Sequence, residues 1–89
     1  MEFEWDEGKA ILNEKKHGVP FPFATRVFLD PNRLEWADTR RDYGEPRWIT
    51  LGLVEGFEII VAYAVRGGSI RLISARKAER HERQDYWNR

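Results

Sequence analysis

With 89 residues, 42% hydrophobic and 13% aromatic with four tryptophans, the chain has enough apolar material for one modest core, and disorder is the wrong expectation. The absence of cysteine excludes disulfides, thiolate metal sites and cysteine nucleophiles; with only His17 and His81 present, no metal or cofactor is expected. Net charge is zero, but residues 1–45 hold seven cations against ten anions (−3) and residues 46–89 hold eight against five (+3), so a polyanion would meet a focused patch, not a uniformly basic surface.

No apolar run approaches the roughly 20 residues a membrane span needs. The acidic start, MEFEWDEGK, lacks the basic leader of an exported chain. A cytoplasmic protein with no membrane partner is the expectation, folded as a single domain over residues 1–89.

In chain order, alternation over Met1–Trp5 predicts a short strand. Asp6 then caps the orphan amides of a helix, with Glu7 at its positive end. That helix carries Ala10, Ile11 and Leu12 and stops at Lys15-Lys16-His17-Gly18, cations followed by glycine. Pro20 and Pro22 open a second short helix, striped by Phe21, Ala24, Val27 and Phe28 and ended by Asp30-Pro31-Asn32. Leu34–Ala37 reads as a strand and Asp38–Pro46 as a polar loop. Residues 47–54, 57–66 and 69–75 are three β-rich runs, joined by Glu55-Gly56 and Gly67-Gly68, which suit two-residue hairpin turns. The middle run is almost continuously apolar and belongs at the centre. From Arg76 onward the pattern turns helical and polar. The expected fold is α+β: an antiparallel β-meander sheet with two N-terminal helices packed on it and a polar C-terminal helix.

Chemistry concentrates between Ser69 and Tyr86. Strict alternation places Ile70, Leu72 and Ser74 on one face of the third run and Arg71, Ile73 and Ala75 on the other. An arginine in an apolar strand is either exposed at an edge, paired with a carboxylate, or set to meet a phosphate, whose oxygens its planar fork fits. Ser74–Arg83 reads as a strand-to-helix junction with Ser74 as N-cap and Glu79–Arg83 as an i, i+4 pair. Arg76 and Lys77 would then occupy the first turn, where the dipole disfavours cations and a bound anion would recruit them. A solvated helix and an anion site both remain open. Arg47 and Arg66 approach the same sheet end through antiparallel pairing; convergence with Arg76 is undecided. Lys16 and His17 fit either helix-end capping or an acid–base pair, with capping favoured. Trp36, Trp48, Tyr63 and the phenylalanines read as core, and Tyr86 and Trp87 as anchors of the last helix. No nucleotide-binding loop, metal-ligand spacing or Ser-His-Asp arrangement is evident.

Phe3-Glu4-Trp5-Asp6 with Lys9, Lys16-His17-Gly18-Val19 with Phe21, Val27-Phe28 with Asp30-Pro31, Gly44-Glu45 with Arg47–Gly52, and Ile70–Ala78 with Glu82-Arg83 and Tyr86 occur in an order that resembles the BrnT family, toxins of type II toxin–antitoxin systems. The resemblance covers nearly the whole chain. It implies a RelE-like fold and ribonuclease activity that blocks translation. It also implies neutralisation by a BrnA antitoxin with a ribbon-helix-helix DNA-binding region, the complex repressing its own promoter; contact with DNA is then indirect. The family's polar positions fall on Arg47, Arg66, Arg71, Ser74, Arg76, Lys77, Arg80 and Arg83, while Glu79 departs from a frequent small hydroxyl residue. Metal-independent endoribonuclease chemistry is expected, with a ribose 2′-hydroxyl attacking the adjacent phosphate. Arg71, Ser74 and Arg76 are the catalytic candidates, and Arg47, Arg66, Lys77, Arg80 and Arg83 the RNA-binding ones; no general base stands out, and Glu79, His17 or Lys16 serves only if the fold brings it to the site. The competing reading is a non-catalytic interaction module whose basic face binds an acidic partner protein. Direct DNA binding is disfavoured by the neutral net charge.

Overall fold

The computed structural model describes residues 1–88. Strand β1 (Glu2–Glu4) leads to helix α1 (Glu7–His17), where the Asp6 carboxylate accepts the Gly8 amide at 3.0 Å. Gly18, at φ 71°, closes the other end by donating its amide to the Glu14 carbonyl. The short α2 (Phe21–Ala24) continues as a 3-10 turn over Thr25–Leu29. The remaining elements are β2 (Leu34–Ala37), β3 (Trp48–Val54), β4 (Phe57–Arg66), β5 (Ser69–Lys77) and α3 (Arg80–Trp87). No helix among the described residues is long and apolar enough to cross a membrane.

The sheet order is β1-β5-β4-β3-β2. The expected meander of β3, β4 and β5 forms its middle, with β2 added antiparallel on one side and β1 parallel on the other. Both hairpin turns, Glu55-Gly56 and Gly67-Gly68, use positive φ at each residue, the geometry that matches the twist of the flanking strands. On one face, Val54, Ile59, Val61, Tyr63, Leu72 and Ala75 pack against Val19, Phe21, Ala24 and Val27 of the helical layer. Contact there is close: a Cβ on Gly52 would lie 2.6 Å from Val27 Cγ2. On the opposite face Ile49, Leu51 and Ile60 pack against Ala78 and Tyr86, so the last helix is anchored by its aromatic residue as its sequence suggests.

Three expectations need correction. Helix α3 begins at Arg80, capped by Glu79, which exchanges hydrogen bonds with Glu82 in a capping box; Ser74 is no N-cap, and Arg76 and Lys77 belong to β5. Cross-strand pairing of Ile60 with Arg76 and Ile59 with Lys77 satisfies that backbone in the sheet and overrides its local helical character. Second, β5 does not alternate strictly. Ala62 pairs with Ser74 and Tyr63 with Leu72, leaving Ile73 as an unpaired bulge residue. Third, Trp36 and Trp48 are 40% and 37% exposed and Phe57 is 49% exposed, so these aromatics are not core. Trp36 and Trp48 flank the outer edge of the sheet, where β2 is four residues long.

β1 is three residues long and its pairing with β5 ends at Arg71. Beyond that, Asn13 of α1 takes the place of a strand. Its Nδ2 donates to the Ala75 carbonyl at 2.9 Å and to the Val19 carbonyl at 3.1 Å, while its Oδ1 accepts the Ala75 amide at 3.1 Å. The residue is 8% exposed, so water cannot replace these bonds. Asn13→Ala is therefore expected to lower unfolding free energy by about 2–3 kcal/mol in urea titrations, a cost of buried unsatisfied backbone groups.

Candidate functional site

The bulge at Ile73 decides which side chains meet. Cross-strand partners share a sheet face. Arg76, Ser74 and Arg71 of β5 therefore lie opposite Ile60, Ala62 and Ala64 of β4, on the face away from α1 and α2. The pairings Trp36–Ile49, Ile49–Ala62 and Ala62–Ser74 continue as one row across four strands. Neighbouring strands lie about 4.8 Å apart, so the row spans about 14 Å from exposed Trp36 to Ser74. Ala62 and Ala64 keep the floor low between the arginines.

Each arginine around this floor is held by a carboxylate. Arg71 Nη1 lies 3.3 Å from Glu4 on β1, the parallel partner of β5. Arg66 donates twice to Glu45, at 3.0 and 2.8 Å, and hydrogen bonding from Arg66 holds the Glu45 carboxyl below its usual range. Arg47 shares the same carboxylate at 3.6 Å and stacks its guanidinium 4.1 Å from the Tyr43 ring centroid, while its buried Nε has no hydrogen-bond partner. Arg76 forms a two-pronged pair with Glu82 at 2.7 and 2.8 Å; that hydrogen bonding lowers the Glu82 pKa and raises that of Arg76. The Glu82 oxygen also accepts the Glu79 amide, so this pair ties β5 to the start of α3.

Five of the eight predicted residues, Arg47, Arg66, Arg71, Ser74 and Arg76, thus border one face or its open end. Of the other three, Lys77 does not, and Arg80 and Arg83 belong to α3, which packs on this same face through Tyr86. Lys77 pairs across with Ile59 on the opposite face and places its ammonium 5.2 Å from the Phe57 ring. Arg83 donates to the Ala78 carbonyl at 2.8 Å, and Arg80 is exposed on α3. The expected Glu79–Arg83 pair is replaced by these capping contacts.

Two groupings were not visible in the sequence, although Lys16, His17 and Ser74 were each weighed there singly. One is the loop cluster of Asp38, Arg40 and Tyr43, beside the site through the charge of Arg40 felt at Arg76. The buried Asp38 accepts Arg40 Nε at 2.8 Å, Arg40 Nη2 at 2.7 Å and the Tyr43 hydroxyl at 3.1 Å. The other is a groove of about 230 Å³ between α1 and the bulged β5, lined by Lys9, Leu12, Asn13, Lys16, His17, Ile73 and Ser74. Burial first, then the Lys16 and Arg76 charges, hold the His17 imidazole below its usual 6.5. The i, i+4 spacing of Lys9, Asn13 and His17 was the available signal for this stripe.

Among known families, the model described as ribonuclease toxin, BrnT, of type II toxin–antitoxin system matches residues 5–82. No curated protein matches the chain significantly.

Hydrogen bonding from Arg40 holds the Asp38 carboxyl well below the usual carboxylate range. A depressed folded pKa contributes stability that is full above the unfolded value, near 3.9, and is lost as pH falls through the folded value. Urea titrations should show wild-type stability falling below about pH 4, while Asp38→Asn is less stable at pH 7 and loses less on further acidification.

Proposed function

The chain belongs to the BrnT family of type II ribonuclease toxins, and from that premise we propose that it cuts RNA on the arginine-bordered sheet face without a metal ion. Membership of that family implies an RNA substrate and an antitoxin partner. The observation that carries the proposed site is the row from Trp36 to Ser74 with Arg71 and Arg76 on either side of Ser74. Trp36 offers a π-face on which a base can stack, and the row leads from it to a hydroxyl between two guanidiniums.

In this reading the ribose 2′-hydroxyl attacks the neighbouring phosphorus in line with the departing 5′ oxygen. Arg71 and Arg76 stabilise the charge that builds on the non-bridging oxygens, and Ser74 donates a hydrogen bond to one of them. Arg66 and Arg47 grip flanking phosphates at the open end of the sheet. The Arg66–Glu45 pair is exposed and contributes little in water, and the Arg71–Glu4 pair is a single long contact of 3.3 Å, so both carboxylates can yield their arginine to a phosphate that presents several acceptors. The Arg76–Glu82 pair is more enclosed, with Glu82 at 14% exposure, and orients its guanidinium rather than releasing it. Lys77 lies on the other face and has no part in the cleavage step, while Arg80 and Arg83, on the helix packed over part of this face, would contact RNA beyond the scissile phosphate.

We assign the antitoxin to the BrnA type, with a ribbon-helix-helix region. Its acidic segments would cover the same guanidiniums, and the complex would repress its own promoter through the antitoxin's DNA contacts. Action on translating cells places the toxin in the cytoplasm, and its architecture would be RelE-like.

Purified protein should cleave an RNA oligonucleotide with EDTA present and leave a substrate with a 2′-deoxy scissile nucleotide intact. Arg71→Ala should lower kcat/KM by about 10²-fold, the usual cost of one oxyanion-stabilising group, with an unfolding midpoint near wild type. Full activity in Arg71→Ala combined with Ser74→Ala would sink the site assignment.

A further inference from the structure

His81 and Asp85 of α3 line a groove with Leu34, Trp36 and Leu51 on the β2 side of the arginine face, whereas the part around Ser74 holds no evident proton acceptor for the proposed cleavage. The side chains there are guanidiniums, a hydroxyl and alanines, and the carboxylates nearby are engaged: Glu4 with Arg71, Glu45 with Arg66, Glu82 with Arg76 and the Glu79 amide. Glu79 itself caps α3. The groove at the edge of β5 supplies a different kind of group. Of the residues lining it, Ser74 belongs also to the arginine face, while Lys9, Lys16 and His17 come from α1 and none is a carboxylate. We infer that His17 is the general base of RNA cleavage, taking the 2′-hydroxyl proton from a nucleotide whose scissile phosphate sits at Ser74. The inference rests on the ribonuclease reading above and deepens it.

The placement is fixed by the backbone. Asn13 clamps α1 to both polar groups of Ala75, immediately after Ser74. Residues four apart lie on one helix face, so His17, one turn beyond Asn13, is carried along the same edge toward Arg76. The bulge at Ile73 turns Ser74 toward the arginine face while both residues still line the groove.

Burial first, and then charge, favours the neutral form of the ring. The cations acting on it are Lys16 from its own helix and Arg76 from β5, and Lys9 lines the same groove. A histidine serving only as a helix-end cation would have to be protonated. Here partial burial and two neighbouring cations favour the unprotonated ring, and Lys15 and Lys16 already serve the helix end. An uncharged imidazole beside cations that attract phosphate is what a proton acceptor requires.

The step balances within the RNA. The O2′–H proton passes to the imidazole, O2′ bonds to phosphorus, and the P–O5′ bond breaks. The imidazolium returns its proton through water to O5′, giving a 2′,3′-cyclic phosphate and a 5′-hydroxyl with the enzyme regenerated. No oxidant or further reactant is consumed.

Single-turnover and steady-state cleavage of an RNA oligonucleotide, with EDTA present, by wild type, His17→Ala and His17→Asn tests this. His17→Ala should lower kcat by about 10²–10⁴-fold, the range for a positioned acid–base group, with KM nearly unchanged. Wild-type kcat/KM should rise with pH to an inflection below 6.5 and then level, and both variants should lose that limb. Added imidazole should restore activity to His17→Ala in proportion to its free-base concentration. Wild-type kcat in His17→Ala overturns the assignment. So does a slow variant that keeps the acid limb and ignores imidazole, which marks a structural role. A wild-type protein that cuts no RNA, or cuts the 2′-deoxy substrate, defeats the ribonuclease reading instead, a result distinct from any behaviour of the His17 variants.

Discussion

The clamp between Asn13 and Ala75 is the constraint on which both the fold and the site depend. β5 loses its strand neighbour after Arg71, and a bare edge of backbone groups there would be unsatisfied under α1. One amide side chain supplies an acceptor and a donor in the spacing a strand would offer, and the same donor reaches Val19 just past the helix end. The helix is thereby held against the sheet edge, not merely against its apolar face. Its last turn, with Lys16 and His17, is delivered to the strand that carries Arg71, Ser74 and Arg76.

The bulge beside this clamp acts on the other side of the strand. A regular β5 would put Arg71 and Ser74 on opposite faces and divide the site. One unpaired residue restores them to the same face and leaves Leu72 and Ala75 in the core. Core and site are therefore built by a single irregularity, and neither is available without the other. The low alanine floor opposite then matters because any larger residue at 62 or 64 would fill the space between the guanidiniums.

Local signals made much of the fold legible. The Asp6 cap, the Lys-Lys-His-Gly stop and the two glycine-containing turns each depend on residues adjacent in sequence, and each lies where expected. What sequence could not reveal depends on distant partners. Asn13 looks like any polar helix residue until Ala75, 62 positions on, stands beside it. The Ile73 bulge is invisible because Ile-Ser-Ala fits either register of alternation. Arg76-Lys77-Ala78 has helical character, but pairing to Ile59 and Ile60 decides its state. The same shift explains the divided fate of the basic segment: Arg76 reaches the site because it is a strand residue, and Lys77 leaves it for the same reason. The arginines of the site were legible as chemistry, whereas the carboxylates that hold them were not, since Glu4 and Glu45 meet their partners only through the sheet.

Those carboxylates also explain how a neutral chain can present a concentrated anion site. Guanidiniums crowded around a floor of alanines repel one another, and the repulsion would weigh on the folded state. Glu4, Glu45 and Glu82 remove most of it while leaving each guanidinium oriented. The exposed Arg66–Glu45 pair and the long, half-buried Arg71–Glu4 pair bind their arginines loosely, whereas the Arg76–Glu82 pair is two-pronged and shared with a helix cap. A single stray anion gains little by displacing one exposed carboxylate. A polyanion that engages several guanidiniums at once gains from each, so the resident carboxylates set a threshold that favours multivalent ligands over isolated charges.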